Sequence, residues 1–424
     1  MDLSKLDALS GLIPNELGAR LYSLAAEVSP ALSIVEIGAY HGKSTSYLAA
    51  GARCPVYSVD PWSEDESAWR SSAMRRLPSP EREKWEAQLR SVGLRDGVEA
   101  MQMTSVAAAA RYDGPPIGLL YIDADHHDHA AAVDLLAWTR HLAPGAIVAW
   151  DDYGTPSNPG VKTAVDRLAE QGLITAPEVH GRLAVATWAR RHMRLSVSIM
   201  AHPVRSAEAE ELRGWLGDVP IVYDTNPEPS ADPRQRWDTG KAAWMEHDPS
   251  ADWHMVIQDD ALVCEDMIAG MESALTVLGP DGLVSAYTGK GRPNQLSVRN
   301  ALNTARIHKW QWTHTWSLNW GVAIIAPVST IPDMLEWCSR PAREMTNYDM
   351  RIGQYYRDIV HWRTRYTIPS LADHRDTFSL VGHGQGGYRV AHNALTGSAL
   401  DIDWSRHDGL AIDVPRTAIR KHPE

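Results

Sequence analysis

Val35–Thr45 reads VEIGAYHGKST. A short apolar run with strand propensity stops at Gly38, Gly42 closes a tight polar turn, and a helix is expected to begin near Ser44. Glycines let a backbone approach a ligand, and a helix N-terminus presents unpaired amides. The stretch lacks the four-residue gap of a Walker loop and also departs from GxGxxG, so an ordinary strand-to-helix turn is the competing reading. Working outward, apolar strands are expected at Ser33–Ile37, Val56–Val59, Leu119–Ile122, Ala146–Ala149 and Leu183–Thr187. Helical spacing fits Thr45–Ala52, Ala130–His141 and Val161–Gln171 between them. Strands alternating with helices of this length imply βαβ units and a parallel sheet.

The basic stretch ARRHMR at Ala189–Arg194 is a plausible boundary, after which the alternation restarts. Strands are expected at Leu195–Met200, Ile221–Tyr223, Trp253–Gln258, Leu283–Ala286 and Gly321–Ala326, with helices at Ala207–Leu216 and Trp237–His247. The reading is therefore α/β, with two tandem doubly wound domains, 1–192 and 193–424. Residues 61–80 read as an insertion over the sheet rim, and a polar tail is expected from about Ala394. The length of 424 residues agrees with two domains at roughly 100–200 residues each.

The net charge of -12 argues against a chain whose main task is gripping a nucleic-acid backbone, which needs a basic face. Three widely spaced cysteines, Cys54, Cys264 and Cys338, form no metal-ligand pattern and read as free thiols of a reducing compartment. The N-terminus has no secretory pattern, and no apolar run approaches the roughly 20 residues that span a bilayer. A cytoplasmic protein is expected.

Three strand-like runs end on aspartates: LLYIDAD at Leu119–Asp125, AIVAWDD at Ala146–Asp152 and MVIQDD at Met255–Asp260. Carboxylates gathered at a sheet rim repel one another, so they need a cation or a shared proton. A further acid, Asp60, tips the second strand (YSVDPW), where a carboxylate can hold a ribose diol. Helix capping and turn chemistry are the plain alternatives for Asp151 and Asp152.

Glu36, Gly38, Gly42 and Asp60 together resemble the cofactor motifs of class I S-adenosylmethionine-dependent methyltransferases. The resemblance implies a Rossmann-like domain that binds S-adenosylmethionine, with Thr104 or Ser105 near the adenine. IDADHHDH followed by AWDDY resembles the metal-dependent O-methyltransferases grouped with cephalosporin hydroxylase-like proteins. It implies Asp123, Asp151 and Asp152 as ligands of Mg²⁺, and Asp125 as general base with His126 as neighbour or substitute. Oxygen-only ligands suit Mg²⁺, and a bound cation with a nearby base would activate a sugar hydroxyl. A zinc site at His126, His127 and His129 is the weaker alternative, since no Cys or HExxH partner accompanies them.

The second half resembles GT-A glycosyltransferases, in which an acidic motif holds a divalent metal on the diphosphate of a nucleotide sugar. The resemblance implies a donor site including His202, Arg205, Asp224 and Asp259, with Mn²⁺ or Mg²⁺ on Asp260 and His374; here QDD stands where DxD is usual. His383 is the alternative to His374. Asp349 in NYDMRIGQYY would orient the acceptor or act as base, with an N-cap role as the alternative. Trp310, Trp312, Trp316 and Trp320 suit a sugar face, though core packing is the commoner role of a Trp. GHGQGG at Gly382–Gly387 reads as a loop.

The expectation is a bifunctional enzyme that modifies a glycan or glycoprotein: O-methyl transfer in the first half, glycosyl transfer in the second. Two rivals stand beside it. One is a methyltransferase with a non-catalytic glycan-binding second half; the other is a nucleic-acid base-modifying enzyme, which the acidic composition disfavours.

Overall fold

The computed structural model describes residues 3–62, 81–290, 295–375 and 390–407. Most of the expected insertion, His383, the GHGQGG stretch and the last residues of the expected tail lie outside the described residues. The chain divides into two compact units, Met1–His192 and Met193–Glu424.

In the first unit β1 (Ser33–Ile37), β2 (Val56–Val59), β3 (Val98–Met101), β4 (Ile117–Ile122), β5 (Leu142–Trp150), β6 (Glu178–His180) and β7 (Leu183–Thr187) form one sheet in the order β3-β2-β1-β4-β5-β7-β6. β1 to β5 are parallel, and β7 and β6 close the edge as an antiparallel hairpin. Every residue of β1 and β4 is buried, as expected of central parallel strands covered on both faces. The helix Asn15–Glu27 covers the sheet together with the helix Lys43–Gly51, and its Leu21, Leu24 and Ala25 share a core cluster with Ile34, Tyr47 and Leu119. β2 and β4 lie on opposite sides of β1, so the order reverses between β1 and β4. Open α/β sheets bind ligands in that crevice, outside the strand C-termini. The loops after β1 and β4 meet there: a Cβ on Gly38, whose φ is +89°, would land inside the backbone carbonyl of Asp123.

The second unit holds β8 (Leu195–Ala201), β9 (Ile221–Tyr223), β10 (Trp253–Gln258), β11 (Ala261–Val263), β12 (Leu283–Ser285), β13 (Trp312–Thr315), β14 (Ala323–Pro327), β15 (Thr364–Thr367) and β16 (Ala372–His374). Seven of them form a sheet in the order β13-β15-β12-β14-β10-β8-β9, and β11 pairs with β16 in a small second sheet. β8, β9 and β10 are parallel, but β14 runs antiparallel to both β10 and β12, and β13 antiparallel to β15. The expectation of a second doubly wound parallel sheet is corrected to a mixed one. An apolar run such as AIIAP carries no mark of strand direction. The switch point again lies between neighbours, here β8 and β10.

The expectation of a loose tail from about residue 394 is also corrected as far as residue 407. Ala399, Leu400 and Trp404 are buried, and Ala399 fills the space that a Cβ on Gly270 would need. The Trp312 indole N–H donates to the Trp404 carbonyl at 3.2 Å. Six tryptophans, Trp404 among them, rank with the largest fully buried side chains, so much of the tryptophan content is core. Trp404→Ala is expected to destabilise the second unit by about 3–5 kcal/mol, the usual cost of emptying such a site. Urea denaturation followed by circular dichroism checks this; an unchanged midpoint would mean that the segment is not packed.

Candidate active site

Gly38 and Gly42 both have positive φ, and Gly42 opens the helix Lys43–Gly51. Asp60 holds this loop in shape. Its Oδ2 accepts the amides of Ala39 at 3.0 Å and Tyr40 at 2.9 Å, and its Oδ1 accepts that of Trp62 at 2.7 Å. Three of the roughly four acceptor positions of the carboxylate are thus taken. Burial pushes its pKa up, against the pull of these three amides.

Glu36 lies behind the loop, fully buried, where one oxygen accepts the hydroxyls of Thr45 and Ser58 at 2.5 Å and the Ser44 hydroxyl also acts on the carboxyl. It is absent from the cavity wall, so it positions the loop from behind. Thr104 caps the helix Ser105–Arg111 and the Ser105 hydroxyl accepts the Trp138 indole at 3.1 Å. Neither lines the cavity.

That cavity, of about 290 Å³, lies where the glycine loop faces the acids. Its wall includes Gly38–Ser44, Asp123, His126, Asp152, Asn158, Arg182 and the segment Gly11–Ile13. The volume is at the lower end of small-molecule sites. His126 Nε2 stands 3.2 Å from Asp152 and 3.7 Å from Asp123. Burial pulls the His126 pKa down, but Asp123 first and then the charges of Asp152 and Asp125 raise it above its ordinary value.

Two expectations about the acids change. Asp125 is absent from the cavity wall; it is more than half exposed and pairs with His127 at 2.5 Å. His126, the next residue, enters the cavity instead. Asp151 is buried with both oxygens engaged: Oδ1 accepts the Asp152 amide at 2.8 Å and Oδ2 accepts Arg182 at 2.7 Å. Arg182 also reaches Asp152 at 3.1 Å. Burial and then the Asp123 charge push Asp151 up to about 7, against the pull of Arg182. Among the described residues no group of three or more His, Cys, Asp or Glu is arranged to hold a metal ion. As placed, Asp123, Asp151 and Asp152 do not fit the expected Mg²⁺ triad, because an arginine stands between two of them.

The second unit repeats the device. The pairing of Ala261 in β11 with His374 in β16 brings His374 beside Asp260, at 3.3 Å. Arg205 contacts Asp260 and, at 3.1 Å, Asp259, while the His202 amide donates to Asp259 at 2.8 Å. Burial and then Asp260 push Asp259 up to about 6. Here the acids are not saturated: Asp260 Oδ1 and His202 Nε2 are buried without a partner. Both side chains are more than nine-tenths buried. Asp224 is spent on a turn, accepting the Asn226 amide and the Gln235 side chain.

Asp349 and Gln258 both border Gly321, Asp349 Cβ lying 3.5 Å and Gln258 Nε2 3.4 Å from where a Cβ on Gly321 would be. Asp349 therefore sits by the tip of β10, and burial raises its pKa. Trp312 is core, Trp310 stacks on His308, Trp320 packs edge-on against Tyr287 and Tyr366, and Arg363 lies over Trp316.

Residues 35–153 match a family model described as a methyltransferase domain. The matched residues run from β1 to the aspartate pair after β5. Among solved structures, the chain is similar to the O-methyltransferase TomG from Streptomyces achromogenes in complex with SAM. The identity is 20%, over 44% of this chain and 89% of that one, with a TM-score of 0.33. It is also similar to an O-methyltransferase from Bacillus cereus in complex with SAH, at 16% identity over 44% and 86%, TM-score 0.32. A third is the O-methyltransferase NovP, at 18% identity over 42% and 81%, TM-score 0.34.

Arg182, Asn158 and Gly11–Ile13 were not singled out by sequence. Arg182 lies some thirty residues beyond the acids, with no local motif to mark it. Glu36 supplies a test of the loop. Its carboxyl is pushed up to about 7, first by burial. Its contribution is fully present below the unfolded value near 4.5 and is lost as pH rises through about 7, where the folded unit must shed a buried proton. Glu36→Gln is therefore expected to flatten the fall in stability across that window, by on the order of 2–3 kcal/mol. Thermal melts from pH 5 to 8 check it; parallel wild-type and mutant curves would count against a buried neutral Glu36.

Proposed function

We propose that the first unit transfers a methyl group from S-adenosylmethionine to a hydroxyl of a sugar. The observation that carries this is one cavity lined by both the glycine loop and the His126–Asp152 pair. The glycine loop would form the cofactor's side of that cavity, and Asp60 and Glu36, neither of which lines it, would keep the loop in shape. A lone pair of the acceptor oxygen forms the new O–CH₃ bond as the S–CH₃ bond breaks and its electrons return to sulfur. The hydroxyl proton passes to the His126–Asp152 pair, leaving S-adenosylhomocysteine and a methyl ether. Positioning and a nearby base together supply the main rate terms of such a reaction. Binding of S-adenosylhomocysteine by calorimetry tests the first step: Gly38→Val should abolish it, whereas His126→Ala should leave it within a few-fold. Methylation of a sugar panel with labelled cofactor tests the second, and His126→Ala is expected to lower that rate by about 10²–10⁴-fold.

For the second unit we infer a nucleotide-sugar site, and with it glycosyl transfer to a glycan or glycoprotein. The supporting observation is the meeting of Asp259, Asp260 and His374 at the switch point, with Asp349 nearby and an unpartnered Asp260 oxygen. Mg²⁺-like cations are often held by one or two carboxylates plus substrate phosphates, so a three-ligand protein cage is not required. Asp260 and His374 would hold the cation, which supplies charge to the departing diphosphate. Arg205 would bind phosphate and Asp349 would receive the acceptor proton. Uridine or guanosine diphosphate with Mn²⁺ should raise the melting temperature of the second unit, and Asp260→Asn should remove that rise. No shift with any nucleoside diphosphate would favour a non-catalytic glycan-binding unit.

A further inference from the structure

We propose that Arg182 is the built-in cation of the first acidic cluster, standing where a divalent metal would otherwise be needed. The proposal rests on the methyl-transfer reading for its consequence, that the chemistry of the first unit runs without a divalent ion, but its geometry is independent of that reading.

Arg182 bridges two different carboxylates, with Nη2 2.7 Å from Asp151 and Nη1 3.1 Å from Asp152. Nη2 also donates to the Leu12 carbonyl at 3.2 Å. The backbone of Arg182 is fixed as well, since its carbonyl accepts the Tyr153 amide at 2.8 Å, directly beyond the aspartate pair. The side chain is therefore held from three sides, and the guanidinium keeps its charge at any working pH.

Most oxygens of the acids are correspondingly engaged. Asp151 uses both oxygens, one on Arg182 and one on the Asp152 amide. Asp152 Oδ1 faces Arg182, and its Oδ2 accepts Asn158 at 2.5 Å with His126 at 3.2 Å. Asp123 Oδ2 accepts the Tyr121 hydroxyl at 3.1 Å, and its Oδ1 faces His126 at 3.7 Å. No oxygen of these three aspartates is among the buried atoms that lack a partner, whereas Asp260 Oδ1 in the second unit is. A divalent ion entering the first cluster would have to strip Arg182 from two carboxylates and leave its own charge uncompensated. At Asp260 the Oδ2 atom meets Arg205 and His374 in the same way, but the buried Oδ1 has no partner to lose. The arginine also ties the acids to the segment Gly11–Ile13, which forms one wall of the cavity.

The test is Mn²⁺ binding to the full chain, read by electron paramagnetic resonance, in an Asp260→Asn, His374→Ala background that silences the second cluster. That background is expected to bind no Mn²⁺ tightly, and adding Arg182→Met should create one site with affinity at least tenfold higher. Further substitution Asp152→Asn should remove the new site, and Arg182→Lys, which keeps the charge, should not create it. Circular dichroism verifies the fold of each variant. Tight Mn²⁺ binding in the Arg182-containing background, abolished by Asp151→Asn or Asp123→Asn, overturns the proposal. So does a folded Arg182→Met variant that gains no Mn²⁺. Binding of S-adenosylhomocysteine is measured in parallel with and without EDTA. Its absence would sink the methyl-transfer reading while leaving the arginine result standing; its presence only without EDTA would overturn the metal independence.

Discussion

Buried carboxylates at the strand tips are the constraint around which both units are arranged. Parallel strands end together, so acids that follow them are brought close and taken out of water at once. Burial and mutual repulsion then raise their proton affinity, as at Asp151 and Asp259, unless positive charge or hydrogen bonds compensate. Each unit meets this with one arginine between neighbouring aspartates and one histidine beside the second of them. The arginines come from unrelated places. Arg182 precedes β7 in the edge hairpin, and Arg205 ends the short turn after β8.

The shared arrangement does not make the two clusters equivalent. In the first, both oxygens of Asp151 are occupied and the remaining acids face His126, Asn158 and Tyr121. In the second, a buried Asp260 oxygen and a buried His202 nitrogen are left without partners. In the first cluster the unpartnered buried atoms are nitrogens, His126 Nε2 and Arg182 Nε, whereas the second leaves a carboxylate oxygen open to a ligand from outside. The cost of an unmet buried polar atom, on the order of 1–3 kcal/mol, is the driving term for that difference. Among the described residues neither cluster gathers three or more His, Cys, Asp or Glu into a metal-holding group.

The glycine loop of the first unit illustrates how a motif is held rather than merely present. Gly38 needs its positive φ and the absence of a Cβ because the loop after β4 passes directly against it. Asp60 then receives three loop amides, and Glu36 ties the following helix through Thr45 to β2 through Ser58. Residues singled out for contact with a cofactor thus also set the shape of the loop that would make that contact.

The sequence by itself determined most of the elements and where the acids fall on them. β1, β2, β7, β9 and β10 begin and end where apolar runs meet glycine, proline or aspartate, because desolvation and turn propensity are local properties. A resemblance named Asp260 and His374 as ligands of one metal, and the fold brings the two side chains to 3.3 Å. Tertiary structure alone decided strand direction in the second sheet, since pairing is set by neighbours distant in sequence. It decided that His126 rather than Asp125 enters the cavity, because one residue of turn geometry reverses which side chain faces inward. It also decided that Arg182 sits among the acids. Charge compensation acts through space, and nothing in the local pattern around Arg182 records which carboxylates it will meet.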